Sequence, residues 1–183
     1  MKRMFIILSV VCLFLIGPAA LTHAQLSKPT TLFPSRQFRS AEELKHTADT
    51  IVIAHVNEDE RSWSTGKRTD SGHRLMNARQ TLRISSTLKG RALSTACLLT
   101  TGVQPLPPPH SSLNLLYTGP LAEGDYALFL KKYGIGCDFL LNGGFSAVYP
   151  LYDGKTIALD QGFSEFGSKT PAELKAALGI SSP

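Results

Sequence analysis

The chain has 183 residues, with 19 Lys or Arg against 14 Asp or Glu and a formal net charge of +5. That length suits one domain able to bury a core without outside help, and the charge is too weak to imply nucleic acid by itself. Three cysteines with no C-x-x-C or H-E-x-x-H spacing supply no zinc ligand set, so neither a metal nor a cofactor is expected.

The chain opens with Lys2 and Arg3 ahead of an apolar run from Met4 to Ile16, then Gly17-Pro18 and the small-residue stretch Thr22-His23-Ala24. This is the layout of a secretory signal peptide over residues 1–24, cut before Gln25. The apolar run, about 13 residues, is shorter than the roughly 20 a spanning helix needs, and no later segment approaches that length. The expectation is an exported chain, periplasmic or secreted, with no transmembrane segment once mature. Cys12 leaves with the signal, and the loss of Lys2 and Arg3 lowers the net charge by two. Cys97 and Cys137 remain, and in an oxidising compartment they are expected to pair as a disulfide. Closing a loop of about 40 residues would stabilise the fold by roughly 4 kcal/mol, less any native strain.

Residues 25–39 read as an extended leader containing Pro29 and Pro34, and residues 40–183 as a single domain. Ser40-Ala41-Glu42-Glu43 offers a capping box for a short helix to about Ala48. Thr50 to Val56 is dense in β-branched residues and predicts a largely buried strand. Asn57 to Ser71 is polar and reads as a loop. From Met76 to Leu88, apolar Met76, Ala78, Leu82, Ile84 and Leu88 alternate with Asn77, Arg79, Thr81, Arg83 and Ser85, the period of a strand with one wet face. Lys89-Gly90 ends it.

Thr95 to Thr101 predicts a third strand, and Gly102 to Pro120 a long connection whose Pro105 and Pro107-Pro108-Pro109 favour polyproline geometry, read as a stiff spacer rather than a docking segment for an aromatic groove. Tyr126 to Lys131 predicts a fourth strand, with Tyr133 to Gly136 turning into Cys137 to Leu141. Phe145 to Tyr152 follows, and Asp153-Gly154 suits a tight hairpin into Lys155 to Leu159. Thr170, Pro171, Glu173 and Gly179 mark the start and stop of a last helix. The fold expected is mainly β, a five- to seven-stranded antiparallel OB-like barrel with a short helix before the first strand and a C-terminal helix.

The order HTADTIVIAHV, NARQTLRISSTLKG, LAEGDYALFLKK and NGGFSAVYPL resembles the small barrels of tissue inhibitors of metalloproteinases (TIMP) and netrin-type modules. It is also similar to secreted bacterial proteins of unassigned activity that share those pieces. The resemblance covers about Ala48 to Leu151 and implies an OB-type fold, not a shared activity. The inhibitors' zinc-chelating N-terminal cysteine has no counterpart at Gln25-Leu26-Ser27, so no residue is carried over.

The one basic stretch with an aromatic runs from Arg61 to Arg83. Arg61, Trp63, Lys67, Arg68 and Arg74 are its candidate binding residues, with Trp63 able to stack on a base or a sugar while the cations meet anionic groups. The competing reading folds Trp63 over the barrel mouth and leaves the charges solvated, and Glu58, Asp59 and Glu60 weaken the local field. Asp70-Ser71-Gly72-His73 holds the residue types of a catalytic triad, but neighbours in one turn are not aimed as a triad requires. The G-x-S-x-G elbow is absent as well. His55 beside Glu58, Asp59 and Glu60 could ligate a metal, although a strand histidine and a solvated loop start are the favoured reading. His46 and His110 stand alone. A nucleophilic Cys137 would need a nearby base, and no histidine follows His110.

The resulting expectation is a non-enzymatic exported protein that acts by binding an envelope or extracellular protein partner. One alternative is a polyanion or glycan binder using the Trp63 loop, and another is a hydrolase. The oligomeric state is not encoded in any visible pattern.

Overall fold

The computed structural model describes residues 32–33, 35–58, 61–136 and 138–179. The expected signal peptide, most of the leader, Asp59, Glu60 and Cys137 lie outside the described residues. In chain order the elements are helix α1 (Ala41–Thr47), strands β1 (Thr50–Val56), β2 (Arg61–Arg68), β3 (Arg74–Lys89) and β4 (Thr95–Gln104), and the one-turn helix α2 (Leu113–Leu116). Strands β5 (Gly124–Lys132), β6 (Asp138–Leu141), β7 (Val148–Tyr152) and β8 (Lys155–Thr156) follow, and helix α3 (Pro171–Ala177) comes last.

Five strands close a barrel in the circuit β1–β3–β4–β6–β5 and back to β1. This is the mainly β, OB-like architecture expected, with the short helix before the first strand and a C-terminal helix. Its barrel pairs are antiparallel except β4 with β6, which run parallel through Cys97↔Asp138 and Leu98↔Phe139. Among the described residues strand β2 pairs only with β3, and β7 adds to β5 outside the circuit.

The double burial of β1 follows from this closure. Val52, Ala54 and Val56 point inward and pack with Leu82, Leu98, Leu128, Leu130 and Phe139. Ile51 and Ile53 point outward into a second core, built by Leu44 of α1, Phe129, Tyr149, Phe166 and by Leu174 and Leu178 around α3. The rings of Phe129, Tyr149 and Phe166 lie 5.0 to 5.8 Å apart. Burial pushes the Tyr149 hydroxyl up to about 12, and its oxygen accepts the Phe163 N–H at 2.9 Å.

Both helix starts form as their sequences predict. Ser40 accepts the Glu43 N–H at 3.1 Å, although Glu43 reaches back to Arg39 and not to the cap. Thr170 and Glu173 complete the reciprocal capping box. The turn at Asp153 and Gly154 has positive φ at both residues, 49° and 72°, as a two-residue hairpin requires.

Three of the motif pieces behind the resemblance meet at one end of the barrel. Lys89 Nζ donates to the carbonyls of Lys45, His46 and Ala48 at 2.7 to 3.0 Å, closing the C-terminal end of α1. Asp49 accepts from Lys131 Nζ at 2.7 Å and from the Lys132 N–H at 3.0 Å. Burial pushes the Asp49 carboxyl up, but these bonds together hold it below its ordinary value, while burial lowers Lys89. Ala48-Asp49, Leu88-Lys89-Gly90 and Leu130-Lys131-Lys132 therefore form a structural junction.

Five expectations are corrected. The polar stretch after Asn57 is not all loop, because Arg61–Arg68 forms β2, an edge strand that needs no apolar alternation. Strand β4 runs on to Gln104, three residues past Thr101. Phe145 lies in a 3₁₀ turn over Gly144–Ala147, so β7 starts only at Val148, and β8 stops at Thr156 instead of reaching Leu159. The wet face assigned to β3 is covered at its upper end, where Leu75 and Asn77 are buried.

Candidate functional site

Strands β2 and β3 make a hairpin whose register sets Arg61 opposite Arg79, Trp63 opposite Asn77 and Arg68 opposite Arg74. A bulge between Ser64 and Arg68, with Gly66 at φ 75°, separates the base of the hairpin from its tip. Side chains alternate along β3, so Arg79 and Asn77 lie on one face and Arg74 on the other. The five candidates therefore do not form one patch. Arg61 and Trp63 belong to the base, and Lys67, Arg68 and Arg74 to the tip.

At the base, Asn77 Oδ1 accepts from Thr101 Oγ1 at 2.7 Å, and that oxygen accepts the Phe33 N–H at 2.9 Å. Trp63 is half-buried with the Arg61 guanidinium 5.9 Å from its ring centroid. Its Nε1 is buried with no hydrogen-bond acceptor among the described residues. Arg79 donates to Asp138 Oδ1 at 3.2 Å and to Cys97 Sγ at 2.9 Å, so its charge is compensated.

At the tip the turn is tight. Thr69 N–H donates to the His73 carbonyl at 2.9 Å, Gly72 N–H to the Thr69 carbonyl at 2.9 Å, and Arg68 Nη1 to the Gly72 carbonyl at 2.8 Å. Ser71 Oγ lies 2.9 Å from both Thr69 Oγ1 and His73 Nδ1. Asp70 forms no hydrogen bond to His73 among the described residues, so the Ser-His contact belongs to the turn's own network and lacks a triad's third member. Lys67, Arg68 and Arg74 are exposed and have no acidic partner among the described residues.

The tip borders a cleft of about 520 Å³ whose far wall is the connection from Pro107 to Tyr117. Pro107 is buried, and the Pro108 carbonyl accepts from Ser111 N–H and Asn114 Nδ2, both at 2.9 Å, which folds the triple proline into a local turn. Ser112 and Tyr117 of this wall had no signal in the sequence, because they lie some 40 residues beyond the hairpin.

The other candidates fall elsewhere. His55 Nδ1 lies 2.9 Å from Asp125 Oδ1 and its Nε2 3.5 Å from Glu123 Oε1. The acids that meet its ring thus come from the start of β5, while Glu58 is exposed and Asp59 and Glu60 lie outside the described residues. Among the described residues no group of three or more His, Cys, Asp or Glu is arranged to hold a metal ion. His46 and His110 are exposed. Cys97 is half-buried with Asp138 as its cross-strand partner. No helix among the described residues is long and apolar enough to cross a membrane.

No protein-family model matches the chain, and no curated protein or solved structure matches it.

Proposed function

We propose that the chain is an exported, non-enzymatic binding protein that takes an acidic ligand, a polyanion or an acidic glycan, on the tip of the β2–β3 hairpin. The observation that carries this reading is the Arg68↔Arg74 cross-strand pair, flanked by Lys67 and lacking an acidic partner among the described residues. Like charges directly opposite on a sheet destabilise it unless something compensates them. Basic side chains on an edge strand can serve only to block unwanted pairing. That explanation covers Lys67 and Arg68 but not Arg74, which lies on β3, hydrogen-bonded on its other side to β4.

A sulfated dextran column tests the reading. The mature protein is expected to be retained at low salt, to elute as salt rises, and not to be held by neutral dextran. Replacing Lys67, Arg68 and Arg74 together by alanine should abolish retention with the fold intact. Retention that ignores salt, or survives the triple change, would sink the idea.

Export rests on the Lys2-Arg3 charge and the apolar run, and it carries the disulfide with it. The parallel register sets Cys97 opposite Asp138, the first residue of β6. Intact-mass measurement after alkylation of the exported protein should detect no reactive thiol, whereas two alkylated cysteines would refute the pairing.

A second reading, the protein partner suggested by the likeness to inhibitor-type barrels, has one observation in its favour. Ile135 at the tip of the β5–β6 loop is fully exposed, with Tyr133 beside it.

A further inference from the structure

The cleft between the hairpin tip and the α2 connection has a chemistry of its own, distinct from the open cationic surface of Lys67 and Arg74. From this cleft we infer a subsite for one acidic sugar unit of a glycan, a uronate or a sulfated sugar. The inference rests on the reading that the hairpin tip takes an acidic ligand, and it names what part of that ligand is gripped and where.

The volume of about 520 Å³ lies within the range of small-molecule sites. Arg68 stands on the hairpin side with one Nη1 fixed by the Gly72 carbonyl, so the guanidinium is oriented before a ligand arrives and its remaining N–H groups are left for a carboxylate or sulfate. Tyr117 and Ser112 stand on the opposite wall, and their hydroxyls have no hydrogen-bond partner among the described residues. Beside them, Pro108 offers an apolar surface for the C–H face of a pyranose ring.

The remaining wall decides between ligand chemistries. Asp70 lines the same cleft, and its carboxylate oxygens accept hydrogen bonds from sugar hydroxyls but disfavour a second anionic group beside the one that Arg68 holds. A cation beside an acceptor-only carboxylate matches a unit bearing one acidic group and several hydroxyls. Single-stranded nucleic acid binds best where bases stack on aromatic rings. Trp63, the one tryptophan of the chain, pairs with Asn77 on the opposite face from Arg74 and does not line this cleft.

Calorimetric titration of the mature protein with trigalacturonate tests the subsite, with galactotriose and a short oligothymidylate as comparators. Trigalacturonate should bind about tenfold or more tightly than either comparator. Arg68→Ala should weaken it by about tenfold or more, and Tyr117→Phe by several-fold, each with an unchanged melting curve. If sulfated dextran is still retained while trigalacturonate fails to bind, or binds with no loss on Tyr117→Phe, the subsite is wrong and the hairpin reading stands. Oligothymidylate binding as tightly as trigalacturonate would also overturn the subsite. If neither dextran sulfate nor trigalacturonate binds, both readings fall together.

Discussion

Replacing Gly102 by alanine is expected to cost about 3 kcal/mol of stability, at the upper end of overpacking effects. Gly102 sits in β4, and a Cβ there would come closer than 3.0 Å to the carbonyl oxygen and carbon of Gly119. A Cβ on Gly119 would likewise come closer than 3.0 Å to the Thr100 side chain. The two glycines let the chain after α2 lie directly on β4, where Gly119 N–H donates to the Thr101 carbonyl at 3.2 Å. The obstacle is backbone, which cannot swing aside as a lysine tip can, so the segment must lift. Tyr117 is two residues from Gly119, and a lifted segment also displaces the wall of the proposed sugar subsite. Urea denaturation should show a clear fall in midpoint, and trigalacturonate binding should weaken with it. A variant with an unchanged midpoint would mean that the segment is not held by this contact.

Thr50 to Val56 reads as a largely buried strand because β-branched residues pack well on a covered pleated surface, and Ser40, Thr170 and Asp153-Gly154 act through bonds to near neighbours in sequence. Local chemistry is legible for that reason. What remained hidden depends on closure of the barrel. Ala48-Asp49, Lys89 and Lys131-Lys132 were visible as motif pieces, but only the pairing of β1 with both β3 and β5 brings them together. Asn77 fell on the polar half of an alternating pattern, yet Thr101 covers its side-chain oxygen with a hydrogen bond from the adjacent strand. The basic stretch was found as composition, and its division into base and tip was not, because a bulge and the alternation along β3 decide the faces. The far wall of the cleft could not be assigned to the hairpin at all, since its approach is set by Gly102 and Gly119.

Gln80 is the clearest case of a polar residue at a core position, and Gln80→Leu is expected to lower stability by about 3 kcal/mol or more. The side chain is fully buried, on the same side of β3 as Ala78 and Leu82. Its amide works as a piece of strand would. Nε2 donates to the carbonyls of Leu121 and Asn57 at 2.8 and 3.0 Å, and Oε1 accepts the Leu121 N–H at 2.8 Å. One side chain thus satisfies both backbone groups of Leu121 and joins the approach to β5 to the exit of β1. Leucine has similar bulk and greater apolarity, so burial alone would predict a neutral or stabilising change. The opposite is expected because three backbone groups lose their partner together, and an unpaired buried polar group costs about 1 to 3 kcal/mol. Water entering beside Leu121 could relieve part of this, which sets the expectation below the full sum. Chemical denaturation reads the loss directly, and amide exchange at Leu121 should accelerate in the variant. A stability equal to the native protein, with Leu121 still protected, would show that the barrel end closes without this amide.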